Sequence, residues 1–295
     1  FHKTNKNNLT SFFWLSKETS IIINNWFMMY FLSVVLIGTV YPIFLDVLSS
    51  QKISVGPPFY HKLIIPFLIP FLFIMAIGPK LKWIKSSLEN KIYLISLLII
   101  SLLVSYLIIK NFDYNFLINT ILISSALFLF FITLRDFFTD KSKNISQNIS
   151  HFGFSLLILS ILFNNLFSSE IITNLKVGET FESSKTKIVF ENVNQRIEKN
   201  YKSIVGKFSI QNSKGKIDNF LPELRIYNQP NIVTSEADIK TTLISDKFIV
   251  INLVQNQDYF NVRYQVKPFM LWIWISVVLI SFGGLMSFIK KEYEK

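Results

Sequence analysis

The stretch IYLISLLIISLLVSYLIIK, from Ile92 to Lys110, decides the fold class of this chain. It contains no charged residue before Lys110. A helix that spans a bilayer needs about 20 mostly apolar residues. Backbone N–H and C=O groups must find partners within such a segment, because hydrocarbon offers none. The stretch therefore predicts a transmembrane helix.

Five other stretches have the same character. They run over Ile21 to Leu45, Leu63 to Gly78, Phe116 to Phe138, His151 to Ser169, and Pro268 to Ile289. The chain is 51% hydrophobic and contains 30 phenylalanines among its 295 residues, which is typical of a membrane protein and not of a soluble domain. The sequence thus predicts a membrane all-α bundle of about six transmembrane helices.

The segment from Glu170 to Lys267 has a different pattern, because apolar and polar residues alternate in KIVFENV, SIVGKFSIQN, KFIVINLV and YFNVRYQV. Alternation at period two is typical of β-strands with one buried face. The SKGK sequence at Ser213 to Lys216 indicates a hairpin turn, since glycine accepts a positive φ. We expect a small antiparallel β domain inserted before the last helix.

The net charge of +11 follows the loops and does not form a patch typical of nucleic-acid binding. Lysine and arginine concentrate in 1–20, 79–91, 133–150 and the C-terminal tail, whereas the two short connections on the other side hold only Lys52, Lys62 and Lys110. Because cytoplasmic loops collect positive charge, both termini are predicted on the cytoplasmic side. The predicted order is a cytoplasmic segment 1–20, five helices in 21–169, an extracytoplasmic β domain in 170–267, and a final helix and tail in 268–295.

The chain has no cysteine, which excludes disulfides, thiol catalysis and thiolate metal sites in this polypeptide. Any sulfur chemistry would need a partner's thiol. Asp136 and Asp140 lie at an inner helix end, where we expect water to solvate them. No nucleotide-binding loop or Ser-His-Asp order is present in the sequence.

Three histidines are candidate ligands. His2 fits a solvated surface ring, and His61 fits a structural interfacial residue on the outer side of the second span. His151 opens the predicted fifth span, where polar groups at membrane depth are usually functional. The partial positive charge of a helix N-terminus favours a neutral imidazole, the form that binds metal or haem iron. A capping or interfacial histidine would give the same pattern, so both interpretations stay open on the residues alone.

Several strings, in order, resemble the C-terminal part of the CcmF family, the integral membrane haem lyase components of cytochrome c maturation. They are LSKETSIIINN (Leu15–Asn25), GTVYP (Gly38–Pro42), KISVGPPFY (Lys52–Tyr60), GPKLKW (Gly78–Trp83), SHFGF (from Ser150), LPELRIYNQPNIVTSEADI (Leu221–Ile239) and KPFMLWIW (from Lys267). The most specific of these is KISVGPP. The resemblance covers essentially the whole chain.

The resemblance implies a haem lyase that joins haem to the cysteines of an apocytochrome c on the outer side of the membrane. It implies that His151 is one of two membrane histidines that hold a b-type haem (heme b). The implied partners are a haem chaperone, thiol-reducing components and the N-terminal half of the same protein. The implied location is the bacterial inner membrane, with the mitochondrial inner membrane as an alternative.

Two family features have no counterpart here. The five tryptophans include no adjacent pair, so the tryptophan-rich haem-handling segment is missing, and the second membrane histidine belongs to the N-terminal half. His61 cannot replace that second ligand, because a hydrocarbon core of about 30 Å separates it from His151. We therefore expect one part of a split or truncated lyase, inactive by itself. The alternatives are a transporter or permease fragment and a noncatalytic assembly scaffold.

Overall fold

The computed structural model describes residues 16–49, 54–83, 91–112, 116–139, 145–183, 186–212, 215–254 and 258–293. Six helices in this part of the chain are long and apolar enough to cross a membrane. They are α1 (Lys17–Ser49), α2 (Pro57–Ile77), α3 (Lys91–Ile109), α4 (Phe116–Thr139), α5 (Ile145–Phe167) and α6 (Met270–Tyr293). The predicted helical membrane bundle is confirmed.

The chain divides into two compact units, 1–159 with 279–295, and 160–278. In the first unit α4 is the central helix, since it packs against both α2 and α3 and its residues from Leu122 to Leu129 are all buried. Aromatic side chains fill the contacts between helices. The rings of Phe73 and Phe128 lie 5.6 Å apart, and those of Tyr30 and Phe67 lie 4.3 Å apart.

Two helix starts differ from the sequence predictions. Helix α5 begins at Ile145, six residues before His151, because the polar run Ser146 to Ser150 is helical although its hydropathy is low. Helix α2 begins at Pro57, six residues before the predicted start at Leu63, so Pro57 and Pro58 form its first turn. Proline suits this position because its φ is already helical and the first N–H groups of a helix have no partner within it.

The second unit contains a β-sandwich of ten strands in the described residues. They are β1 (Ser169–Leu175), β2 (Thr180–Glu182), β3 (Thr186–Ile197), β4 (Tyr201–Asn212), β5 (Ile217–Phe220), β6 (Glu223–Tyr227), β7 (Val233–Glu236), β8 (Asp238–Thr241), β9 (Ser245–Leu253) and β10 (Phe260–Pro268). One sheet has the order β1-β10-β9-β8 and the other β2-β3-β4-β6-β7, with β5 beside β4. Every pairing is antiparallel, as the alternation predicts.

The sandwich core is built from the alternate residues of these strands. Phe190 on β3 and Phe208 on β4 are fully buried, and their rings stack at 4.2 Å with 13° between the planes. Ile249 and Ile251 on β9 and Val262 on β10 belong to the same buried cluster. The period-two pattern therefore identifies the buried face correctly.

The predicted turn after β4 is described only in part, because Ser213 and Lys214 lie outside the described residues. Gly215 has φ +76°, and its N–H donates to Asn212 O at 2.8 Å. Strands β4 and β5 pair antiparallel across it, so the chain reverses where the sequence predicts.

Candidate functional site

Helix α5 presents three stripes of side chains, each made by residues three or four apart. The α6 stripe is Ser146, Ser150 and Gly153; the α4 stripe is Asn148, Phe152 and Ser155; the cavity stripe is Gln147, His151 and Phe154. Two of these stripes pack tightly on neighbouring helices. The third contains the candidate ligand.

The α6 stripe allows backbone to approach backbone. A Cβ on Gly153 would lie 3.0 Å from Ile280 N, and a Cβ on Gly283 would lie 2.8 Å from Ser146 O and 2.8 Å from Ser150 N. Glycine is therefore required on each helix where the other comes close.

The α4 stripe combines a buried hydroxyl pair with ring contacts. The hydroxyls of Thr133 and Ser155 lie 2.7 Å apart, and Ser155 is fully buried. The ring of Phe152 lies 5.3 Å from that of Phe137 and 5.8 Å from that of Phe130. Contacts on two sides fix the rotation of α5 about its axis, and with it the direction of the cavity stripe.

Two residues of the cavity stripe, Gln147 and His151, line a cavity of about 500 Å³, and the third, Phe154, packs its ring against that of Phe71 in the cavity wall. Its polar lining comes from Lys17, Ser20, Asn24, Gln147 and His151, and its apolar lining includes Ile21, Met28, Phe71, Ile74 and Met75 from α1 and α2. The His151 side chain is only partly buried, so the ring is accessible from the cavity. A cavity of this size, mostly apolar with a few polar groups, is typical of a small-molecule or cofactor site.

The lining of this cavity includes the cation Lys17. The Lys17 ammonium lies 5.3 Å from the centroid of the Trp83 ring, and among the described residues no ion pair involves it. A cation over an indole face is held by electrostatic attraction. It remains available to an anionic group that enters the cavity.

A carboxylate that we expected in water lies close to the same place. Asp136 pairs with the Lys80 ammonium at 2.8 Å, and the two side chains are only 24% and 26% exposed. Asp136 also lines, with His151, Thr133 and Asn148, a small cavity of about 20 Å³. The expectation of a solvated Asp136 is therefore wrong. Lys80 and Asp136 lie in different segments of the sequence, so no motif or spacing could have revealed the pair.

The helix-terminus argument for His151 also fails, because the residue lies in the second turn of α5 and the effect of the helix dipole falls off within the first turn. The observation that now supports His151 as a ligand is that its ring lines the cavity.

His61 is exposed in the first turns of α2, whereas Ile74 and Met75 of the same helix line the cavity, about 20 Å along the axis. The structure does not bring His61 and His151 together. His2 lies outside the described residues, within which no cluster of three metal-binding side chains occurs.

The fold and the site define a class: a multi-pass helical membrane protein with an inserted β-sandwich and one histidine facing a cavity between its helices. Residues 166–268 match the family model described as the CcmF C-terminal beta-sandwich. The chain is 27% identical to the cytochrome c-type biogenesis protein CcmF of Pseudomonas fluorescens, over 94% of this chain and 44% of that protein. It is 24% identical to CcmF of Escherichia coli K12, over 95% of this chain and 45% of that protein.

A solved structure, the cytochrome c heme lyase CcmF, has the same fold with a TM-score of 0.69 and 20% identity, over 92% of this chain and 46% of that one. The chain is similar to the C-terminal part of CcmF, and the resemblance found in the sequence motifs is confirmed. It spans less than half the length of the relatives that it matches.

Proposed function

We propose that this chain is the C-terminal portion of a membrane haem lyase for c-type cytochrome biogenesis. The names of its relatives support this function, since they are cytochrome c-type biogenesis proteins and a heme lyase. Within the function, His151 is one axial ligand of a b-type haem, and the second ligand comes from outside the chain. The observation that carries the assignment is the partly buried His151 ring on the wall of a cavity of about 500 Å³.

The residues of the cavity fit such a group. A haem needs an imidazole for the iron, an apolar wall for the porphyrin faces, and a polar end for the propionates. His151 supplies the imidazole, and Met28, Phe71 and Ile74 belong to the apolar wall. Lys17, which lines the cavity and is held over Trp83, supplies a cation for a propionate carboxylate.

When bound, the haem would supply one-electron chemistry for keeping a substrate haem reduced. The residues of this chain bind the haem and orient the imidazole of His151. The glycine and hydroxyl contacts of α5 hold the imidazole in one direction, and the apolar wall excludes water from its neighbourhood. The chain alone catalyses no thioether formation, because it holds a single membrane histidine at the cavity and no tryptophan-rich segment.

The partners follow from this role. They are the N-terminal half of the same protein, a haem chaperone, thiol-reducing components, an apocytochrome c and the membrane, with no nucleic acid. We place the protein in a bacterial inner membrane, or else a mitochondrial one. Residues 1–20 and the tail within 268–295 face the cytoplasm or matrix, the helices of 21–169 and the final helix cross the membrane, and the sandwich of 170–267 faces outward.

The ligand assignment is tested in the complete protein, with the N-terminal half restored. His151→Ala should remove the bis-histidine absorption spectrum of the b-type haem, whereas His61→Ala, on the exposed start of α2, should leave it unchanged. A spectrum that survives His151→Ala would contradict the assignment. It would also favour an assembly scaffold or a permease, for which this ring is dispensable.

The orientation is tested separately. An alkaline phosphatase reporter should be active when it is fused after Gly215 and inactive when it is fused after Ser86. The opposite pattern would place the sandwich on the inner side.

A further inference from the structure

The connection between β8 and β9 is a tight hairpin whose tip is Leu243 and Ile244. Thr242 N donates to Ser245 O at 3.1 Å, and Ser245 N donates to the Thr242 hydroxyl oxygen at 3.1 Å. The Thr242 hydroxyl donates to Ser245 O at 2.7 Å. Only two residues therefore project beyond the closed turn.

The residue types at this tip are not those that a turn selects. Two-residue hairpin tips favour glycine, asparagine and aspartate, which accept a positive φ or hydrogen-bond to their own backbone. Here the tip is Leu-Ile, and neither residue has a positive φ. Leu243 is 70% exposed and Ile244 is 71% exposed. Neither local conformation nor packing within the sandwich accounts for two large aliphatic side chains at this place.

The tip is attached to the first turn of α6. Phe269 N donates to Ile244 O at 2.8 Å, and the Trp272 indole N–H donates to Leu243 O at 2.9 Å. Both carbonyls of the tip are thus bound to the segment in which the last strand becomes the last membrane helix.

The junction itself is rigid. Phe269 has φ +61°, a conformation that costs a bulky residue energy and persists only where the surroundings impose it. The Asn164 side chain donates to Pro268 O at 2.6 Å, and the rings of Phe163 and Phe269 lie 5.5 Å apart. The level of the hairpin tip relative to α6 is therefore fixed.

That level is the membrane interface. Helix α6 is a membrane span, and its first turns carry Trp272 and Trp274, of which Trp274 is 63% exposed. Tryptophan is enriched at the headgroup level of membrane helices. A tip hydrogen-bonded to Trp272 lies at the same depth.

We infer that Leu243 and Ile244 insert into the interfacial region of the bilayer and anchor the sandwich to the lipid surface. The occupant is phospholipid and not a protein partner, because the exposed apolar tip continues the interfacial belt of α6. With α5 and α6, the tip gives the sandwich a third attachment to the membrane. The inference is independent of haem binding.

The chain offers a matched control in the β3–β4 hairpin. Its tip, Lys199 and Asn200, is closed in the same way by Glu198 N donating to Tyr201 O at 2.9 Å, and both tip residues are exposed.

This control lies at the other end of the sandwich. Ile210 of β4 pairs with Asp218, whose carboxylate binds Lys247 close to the β8–β9 hairpin. Tyr201, at the control tip, is nine residues further along β4, about 30 Å in an extended strand.

The test uses nitroxide spin labels on the full chain in lipid nanodiscs, and the absence of native cysteine allows single-cysteine variants to be labelled selectively. The variants are Leu243→Cys and Ile244→Cys, with Lys199→Cys and Asn200→Cys as controls. Collision rates are measured with oxygen, which partitions into lipid, and with a water-soluble nickel chelate.

Labels at 243 and 244 should collide severalfold more with oxygen than with the nickel chelate, and labels at 199 and 200 should show the reverse. All four positions are exposed tips, so the label itself should not disturb folding. If the nickel chelate reaches 243 and 244 as readily as 199 and 200, the anchor is refuted. That result is also the one expected if a protein partner covers the tip in the complete complex.

Discussion

Adding one methyl group should destabilise the protein at one of the two adjacent glycines of α6 and not at the other. Gly283 lies against α5, where an added Cβ would meet Ser146 O and Ser150 N, each at 2.8 Å. An added Cβ on Gly284 meets no atom within 4 Å. The substitutions Gly283→Ala and Gly284→Ala therefore compare one chemical change in two environments.

The expected magnitude follows from these contacts. The Ser150 hydroxyl oxygen also faces Gly283 and could rotate aside. The other two atoms belong to the backbone of α5 and cannot, so the two helices must separate by a few tenths of an ångström or more. Overpacking of this kind costs about 1–3 kcal/mol. Replacing glycine by alanine in a helix is favourable by up to about 1 kcal/mol, but this gain applies to both variants and cancels. Gly283→Ala should therefore be less stable than Gly284→Ala by about 1–3 kcal/mol.

The assay is unfolding of the full chain in detergent, followed by circular dichroism with increasing temperature or denaturing detergent. In the proposed function, Gly283→Ala should also weaken haem retention by the complete protein, because Ser150 is adjacent to His151 and the two move together. Equal stabilities for the two variants would refute the close α5–α6 packing. A large loss for Gly284→Ala would show that its face is packed and not open.

Three further changes test other parts of the structure. Phe208→Ala removes one ring of the fully buried stack and should destabilise the sandwich by about 3–5 kcal/mol, measured by thermal unfolding. The hydrogen bond from Lys247, at 2.6 Å, lowers the pKa of Asp218 in the folded protein. Its contribution to stability should be complete above the unfolded pKa of about 4 and lost as the pH falls through the lower folded pKa, so acid unfolding of Asp218→Asn should be less steep. Asp136→Asn leaves the Lys80 ammonium partly buried without its carboxylate, and the double variant with Lys80→Met should be more stable than this single one; a less stable double variant would contradict the pairing.

The helices and strands of this fold can be predicted from hydropathy and from the alternation of apolar and polar residues. Ile92 to Lys110 is apolar for the length of a bilayer, and α3 spans Lys91–Ile109. The ends of the helices are harder to predict from the sequence. Helix α5 extends back to Ile145 because Ser146, Asn148 and Ser150 face α4 or α6. A hydropathy average includes the polarity of these residues but not the contacts that they make.

The candidate site was predictable only as a single residue. His151 stands out in the sequence because a ring of its kind is rare in an apolar helix. The cavity beside it depends on Lys17 and Met28 from α1 and Phe71 from α2, and their approach to α5 leaves no sequence signature. The adjacent glycines illustrate the same limit, since the sequence shows a pair and only the packing distinguishes Gly283 from Gly284.

In the proposed function a second polypeptide supplies the other ligand, and the packing of α5 bears on how His151 can be in position before that ligand arrives. The α6 stripe and the α4 stripe are satisfied within this chain, the first by glycine contacts and the second by the Thr133–Ser155 hydroxyl pair. The direction of the cavity stripe follows from these contacts and needs nothing from an N-terminal half. In the proposed function His151 is thus oriented before assembly, so the second polypeptide must supply a ligand but need not reorganise α5. A preorganised group of this kind loses less conformational entropy on binding.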